Sequence, residues 1–374
     1  MFWLFPFGRD RVPSRRIPSR VTMPPPTTPK RLDQKLARIR AGQATRRDFI
    51  IADAKDADMA FGATAPGLRM EGESVPGGRL PGWKTRADSL QQIREIVAQD
   101  VVDIMLLSAS NLERLAVQEG RFRESAVTAA ARANDSSDIW LVRGGAYRGA
   151  PSLPFRSASI EHIQYGRQRS DGAETVSGAD LGLYSVTFNN DAVADHRTLE
   201  AFAAFRREAE EKRFRYFLEV FAPNLPAAVA RPDLPGFLCD SIVRLLAGIA
   251  EAGRPLFLKV PYLGPRFMTE LTSYDPGVVV GVMGGAAGTT MDAFLLLHET
   301  QAHGAWAALL GRKINQAESP LRFIAYLRRI ADGEIAPAEA VRAYHGELAR
   351  LGVKPQRDLS ADLQVTERWD GEGE

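Results

Sequence analysis

Residues 255–262 read Pro-Leu-Phe-Leu-Lys-Val-Pro-Tyr. The run is apolar on both of its faces apart from Lys259, and prolines bound it at 255 and 261. A short continuous apolar run between breakers predicts a strand buried on both sides, as in a parallel sheet covered by helices. Just upstream, Leu238, Ile242, Leu245, Leu246 and Ile249 recur at helical spacing and predict an amphipathic helix packed against that strand. Just downstream, Val278–Met283 (VVVGVM) is a second such run, and Ala305–Leu310 (AWAALL) is a third.

The same alternation extends toward the N-terminus. Strands are expected at Phe49–Asp53, Val102–Leu106, Asp138–Val142, Leu181–Thr187 and Arg215–Val220. Leu199, Phe202 and Phe205 mark a helix before the fifth strand. Thr85 with Asp88 forms a capping box that opens the helix before the second. Leu321, Ile324, Leu327 and Ile330 predict a closing helix. Eight strand–helix repeats over about 260 residues predict a closed (β/α)8 barrel. An open doubly wound sheet is the runner-up, but no GxGxxG follows the first strand. Leu32, Leu36 and Ile39 predict a helix that plugs the barrel bottom. Two connections leave strand C-terminal ends and are long, Ala54–Lys84 and Gly144–Asp180. The second is expected to carry extra strands around Ile160–Tyr165. Such loops build either an active site or a subunit interface.

Composition limits the function classes. The 374 residues carry 48 basic and 46 acidic side chains, a net charge of +2, so nothing argues for a nucleic-acid or other polyanionic partner. Apolar runs are too short to span a bilayer. The single cysteine, Cys239, allows no internal disulfide and fits a reducing, cytoplasmic setting. It is expected on the buried face of a helix. Residues 1–30 hold seven prolines and five arginines, and their basic residues follow the apolar Met1–Phe7 instead of preceding it. This predicts a disordered leader, or an initiator at Met23, ahead of a targeting peptide or membrane-surface arm. The expected organisation is therefore a leader at 1–30, a barrel at 31–352 and a tail at 353–374.

Polar residues at the C-terminal ends of the strands are the candidates for chemistry. Asp53 ends the first strand, Glu219 lies near the end of the fifth and Lys259 near the end of the sixth. A lysine in a buried strand is costly unless neutral or paired, and burial favours the neutral amine that attacks a carbonyl. A carboxylate such as Glu219 then moves protons between carbinolamine and imine. A structural Lys259–Glu219 ion pair explains the same two residues, and the pattern leaves both accounts open. After the seventh strand come Gly284-Gly285-Ala286-Ala287-Gly288 and a helix start, and after the eighth come Gly311-Arg312-Lys313. These two loops are the usual place for a phosphate in such barrels. Arg143, at the end of the expected third strand, is a candidate for an anion contact or a rim salt bridge. His298 and His303 are five apart and do not share a helical face as HExxH requires, so no metal site is expected there. Asp53, Asp56 and Asp58 are read as a solvated acidic loop before a Mg²⁺ site.

The motifs LEV, LFLKVPY, VVVGVMGG and GAWAALLGRKINQ together resemble the class I (Schiff-base) aldolases of the tagatose-bisphosphate and archaeal or bacterial fructose-bisphosphate kind, over about Asp48–Gln316. The resemblance implies a TIM barrel, no cofactor and no metal, a Schiff base on Lys259, proton transfer by Glu219 and a sugar contact from Asp53. It implies phosphate contacts from Gly284, Gly285, Gly288, Gly311 and Arg312. Tagatose-type members carry a second lysine on strand four where this chain has Leu183-Tyr184-Ser185, and the fructose-bisphosphate branch uses a tyrosine as acid/base, which points to Tyr184. The family's motif after the first aspartate is replaced by Ala54-Lys55-Asp56-Ala57-Asp58. The expected function is C–C bond cleavage or formation in a phosphorylated ketose or keto acid. The expected partners are a small sugar phosphate and further copies of the chain. A non-catalytic sugar-phosphate-binding barrel and a phosphate-binding isomerase or decarboxylase are the alternatives.

Overall fold

The computed structural model describes residues 28–69, 82–168, 175–284 and 288–367. Ten strands occur among them: β1 (Ile50–Lys55), β2 (Ile104–Leu107), β3 (Thr128–Arg132), β4 (Asp135–Ser136), β5 (Pro154–Phe155), β6 (Leu181–Thr187), β7 (Arg215–Phe221), β8 (Leu258–Val260), β9 (Val280–Met283) and β10 (Ala307–Leu310). Eight of them pair in parallel and close in the order β1-β10-β9-β8-β7-β6-β3-β2, while β4 and β5 form a separate antiparallel pair. Helices lie between the strands, so the fold is the expected (β/α)8 barrel.

The pleat separates two apolar layers, because successive side chains on a strand face opposite ways. Ile50, Ala52, Ile104, Leu106, Ala130, Leu181, Leu183, Phe217, Phe257 and Leu309 fill the interior. The alternate residues, among them Ile51, Met105, Tyr184, Leu218 and Val282, pack outward on the helices. Leu32 and Leu36 of helix Arg31–Arg40 join the inner cluster and close the bottom. That plug is pinned by Lys35, whose amine donates to the Phe49 carbonyl (2.8 Å) and to Asp103 (2.9 Å). Burial pushes the Lys35 amine down to about 8, against the pull of Asp103.

Two expectations need correction. The third barrel strand is Thr128–Arg132, not Asp138–Val142, where Ser137–Ile139 forms a 3-10 turn. Its sequence, Thr-Ala-Ala-Ala-Arg, is small and weakly apolar, so the aromatic and aliphatic DIWLV gave a stronger strand pattern. The segment Ile160–Tyr165 is a helix started by the Ser159 hydroxyl, not a strand. Other local features agree with the sequence: Thr85 and Asp88 form the capping box of helix Arg86–Gln99, and Cys239 is buried in helix Leu234–Ala247. The closing helix is Pro320–Ala331. Residues 359–367 lie back on the barrel, with Asp362 buried. Among the described residues no helix is long and apolar enough to cross a membrane.

Candidate functional site

Lys259 and Glu219 are register partners on β8 and β7, and both face the interior from the layer above Phe257 and Phe217. They are 6% and 2% exposed, and the Lys259 amine ion-pairs with the Glu219 carboxylate. The next position in this layer is Gly281, paired to Lys259 on one side and Ala307 on the other. A Cβ at Gly281 would lie 2.7 Å from the Ala307 Cβ and 3.1 Å from the Leu258 carbonyl oxygen. Small residues beside the lysine therefore keep the neighbouring strands close and put no side-chain bulk next to the amine.

Arg132, at the end of β3, is the residue that sequence reasoning missed. Its guanidinium reaches Asp56 (2.5 Å), the Ser185 hydroxyl (3.0 Å) and Glu219 (3.4 Å). Ser185 on β6 donates to Glu219 at 2.7 Å. Asn134 fixes Ser185 by accepting from its N–H (2.6 Å) and donating to its carbonyl (2.8 Å), extending the β3–β6 pairing with a side chain. The result is one buried network, Asp56–Arg132–Ser185–Glu219–Lys259. Burial alone would push the Glu219 carboxyl up, but the charges of Lys259 and Arg132 and the hydrogen bonds from Lys259 and Ser185 hold it below the usual glutamate range. A carboxylate held ionised beside an amine can accept that amine's proton and return it to a leaving hydroxyl. The signal that would have located Arg132 is a lone cation ending the run Val127–Ala131.

Other expected site residues fall elsewhere. Tyr184 is a register neighbour of Leu218 in the outer layer, and its ring stacks on Phe205 (centroids 4.3 Å) and lies against Phe202 (5.1 Å). Burial raises its hydroxyl further above the ordinary tyrosine range. Strand parity thus removes it from the Lys259 layer and from an acid/base role there. Asp53 shares the outward parity of Ile51 and ion-pairs with Lys55 at 3.2 Å, and burial lifts its carboxyl to about 6. Asp56, which directly follows β1, is the carboxylate that reaches the Lys259 network, through Arg132. Arg143 is exposed in a turn of the β3–β6 connection, because the strand it was expected to end is not a barrel strand.

The two loops expected to hold phosphate are neighbours. Lys313 donates to the carbonyls of Gly288 and, at 2.7 Å, Thr289. Gly311 packs on β1, where a Cβ would lie 2.8 Å from the Ala54 carbonyl oxygen, and Arg312 is exposed. Gly285 lies outside the described residues. The start of helix Thr290–Ala302 is closed by the chain's own carboxylates. Asp292 accepts from the Thr289 N–H (2.6 Å), and Asp362 accepts from the Thr290 N–H (2.7 Å). A Cβ on Gly288 would meet the Asp292 carboxylate, and the Gly284 N–H is spent on the Leu309 carbonyl (2.7 Å). Among the described residues, the Thr289 and Thr290 N–H groups are therefore met from within, because an acidic cap serves a helix N-terminus as an anion would. Gly311 and Arg312 directly follow β10.

Fold and site together define a closed (β/α)8 barrel with a buried lysine–glutamate pair at its C-terminal mouth. No family model matches the chain, and no curated protein matches it. Solved structures do share its fold. An archaeal fructose 1,6-bisphosphate aldolase is 15% identical, covers 81% of this chain and 99% of its own, and has a TM-score of 0.56. An archaeal fructose-1,6-bisphosphate aldolase with the catalytic Lys covalently bound to the carbinolamine intermediate of the substrate is 15% identical, covers 81% of this chain and 100% of its own, and has a TM-score of 0.56. The fructose-bisphosphate aldolase from Slackia heliotrinireducens is 15% identical, covers 84% of this chain and 91% of its own, and has a TM-score of 0.57. At this identity the likeness is one of fold.

Proposed function

We propose that this chain is a lysine-dependent (class I) aldolase acting on a phosphorylated ketose or related keto compound. The observation that carries the reading is the pairing of Lys259 with Glu219 in the inner layer of the mouth, beside Gly281 and Ala307. In the proposed reaction the Lys259 amine passes a proton to Glu219 and adds to the substrate carbonyl. Glu219 returns the proton to the carbinolamine hydroxyl, which leaves as water. Glu219, again a carboxylate, takes the proton of the substrate hydroxyl on the carbon that leaves, and the iminium accepts the electron pair of the breaking C–C bond, giving an enamine and an aldehyde. Enamine protonation and hydrolysis then release the second product and the lysine. The iminium is the electron sink, so the scheme calls for no metal. Arg132 and Ser185 position Glu219 throughout, and Arg312 is the proposed phosphate contact.

Borohydride reduction in the presence of ketose phosphates tests this. The expected result is a mass increment on Lys259, absent in Lys259→Arg, since arginine cannot form the imine. An unmodified Lys259 under conditions where substrate turns over would overturn the proposal. One observation favours a second reading, a phosphate-binding barrel without imine chemistry or a non-catalytic one: the Lys259–Glu219 contact is also what a purely structural ion pair would make.

A further inference from the structure

A cavity of about 430 Å³ lies at the same end of the barrel as Lys259 but on the other face of β1. Lys55, the last residue of β1, forms part of its wall and has the parity of Ile51, opposite to the interior layer of Lys259. The volume falls within the roughly 300–1,000 Å³ typical of small-molecule sites. The connection that follows β1 folds back on itself through the Arg69 N–H to Gly82 carbonyl bond (2.9 Å) and the Lys84 N–H to Gly67 carbonyl bond (2.9 Å), which sets Trp83 and Lys84 on the cavity wall.

The charges in this wall are unequal. Lys55 is compensated by Asp53 and contacts Asn315. Arg86 is held by the Asn111 side chain (2.9 Å) and the Ser110 carbonyl (3.0 Å), so its orientation is fixed without a carboxylate. The Lys84 amine makes no hydrogen bond or ion pair among the described residues, and the Asp88 carboxylate acts on it through space. Among the described lining residues the carboxylate is Asp58, which accepts from Ser108 (2.6 Å) and Asn111 (3.0 Å) through Oδ2. The backbone N–H groups of Asp58 and Met59 also act on its carboxylate. Trp83 and Pro66 offer apolar faces beside it.

We propose that this cavity binds a small hydroxylated organic anion, a sugar phosphate or a sugar acid, at a site separate from Lys259. Lys84 and Arg86 take the anionic group, the Asp58 carboxylate takes a hydroxyl, and the carbon skeleton rests on Trp83. The inference does not depend on the aldolase reading.

The test reads the site directly. Acetylation of Lys84 is followed by mass spectrometry on the full chain, with exposed Lys354 as the internal reference. The probes are glycerol 3-phosphate, glycerate and glycerol. At a probe concentration about ten times its Kd, the modification of Lys84 should slow roughly tenfold, with Lys354 unchanged. Protection by the phosphate alone assigns a sugar phosphate, and protection by glycerate alone assigns a sugar acid. Arg86→Ala should remove most of the protection, and Asp58→Asn should weaken it, while Arg312→Ala should leave it intact. Circular dichroism checks that each variant is folded, and Asp58→Asn keeps the test open if Arg86→Ala is not. The proposal is overturned if neither anion protects Lys84, if glycerol protects it equally, or if folded Arg86→Ala and Asp58→Asn both behave as wild type.

Discussion

Removing the charge of Glu219 should be far more costly than removing that of Lys259. Glu219 is the hub of the buried network: it meets Lys259, Arg132 at 3.4 Å and the Ser185 hydroxyl at 2.7 Å. In Glu219→Gln, Arg132 keeps Asp56 at 2.5 Å, but Lys259 is left buried without a carboxylate. Breaking a buried pair in this way costs about 3–5 kcal/mol. In Lys259→Met, Glu219 retains Arg132 and Ser185, and the new side chain packs among apolar neighbours. The expected cost is about 0–2 kcal/mol. The double variant should be more stable than Glu219→Gln alone, because the stranded amine is gone. Urea unfolding of the four proteins gives the coupling. The hub argument fails if the two single variants cost the same, or if their effects add to within about 0.5 kcal/mol. The pH dependence has a definite sign. Glu219 is held below its unfolded value, so its stabilisation is complete above the unfolded carboxylate pKa of about 4.3 and is lost as pH falls through the lower folded value. Glu219→Gln should lose that part of the acid sensitivity.

Asp53 should act in the opposite sense. Its folded carboxyl is raised to about 6, so the folded state binds more protons and stability falls as pH rises from about 4 to 6; unfolding free energy against pH should lose this slope in Asp53→Asn. Asp362→Ala removes the acceptor of the Thr290 N–H and the partner of His345 at 2.9 Å, and should lower stability by about 1–2 kcal/mol in thermal or urea unfolding. Arg312→Ala should weaken a phosphorylated substrate by about tenfold or more while leaving a phosphate-free analogue nearly unchanged; equal losses for both would remove Arg312 from the phosphate site.

Much of the barrel was legible because a parallel strand buried on both faces writes itself as an apolar run. Leu181–Thr187 was read with the bounds it has in the structure, and Lys259 and Glu219 stood out because a charge in such a run is costly. Thr128–Arg132 was not legible. Alanines carry little strand signal, and the strand exists because its backbone is paired between β2 and β6. Arg132 went unnoticed with it.

Sequence by itself determined the alternation of strand and helix, the plug helix and the two charged residues near the strand ends, since each depends on periodicity or local chemistry. Tertiary structure decided which face each side chain takes. A shift of one residue along a strand moves a side chain from the barrel interior to the helix layer, and this places Tyr184 on Phe205 and Asp53 beside Lys55, while Asp56 and Arg132 join Glu219. It also decided that the start of helix Thr290–Ala302 is capped by Asp362, 72 residues away in the chain. No local pattern encodes a carboxylate arriving from that distance, because only the closed fold brings the two together.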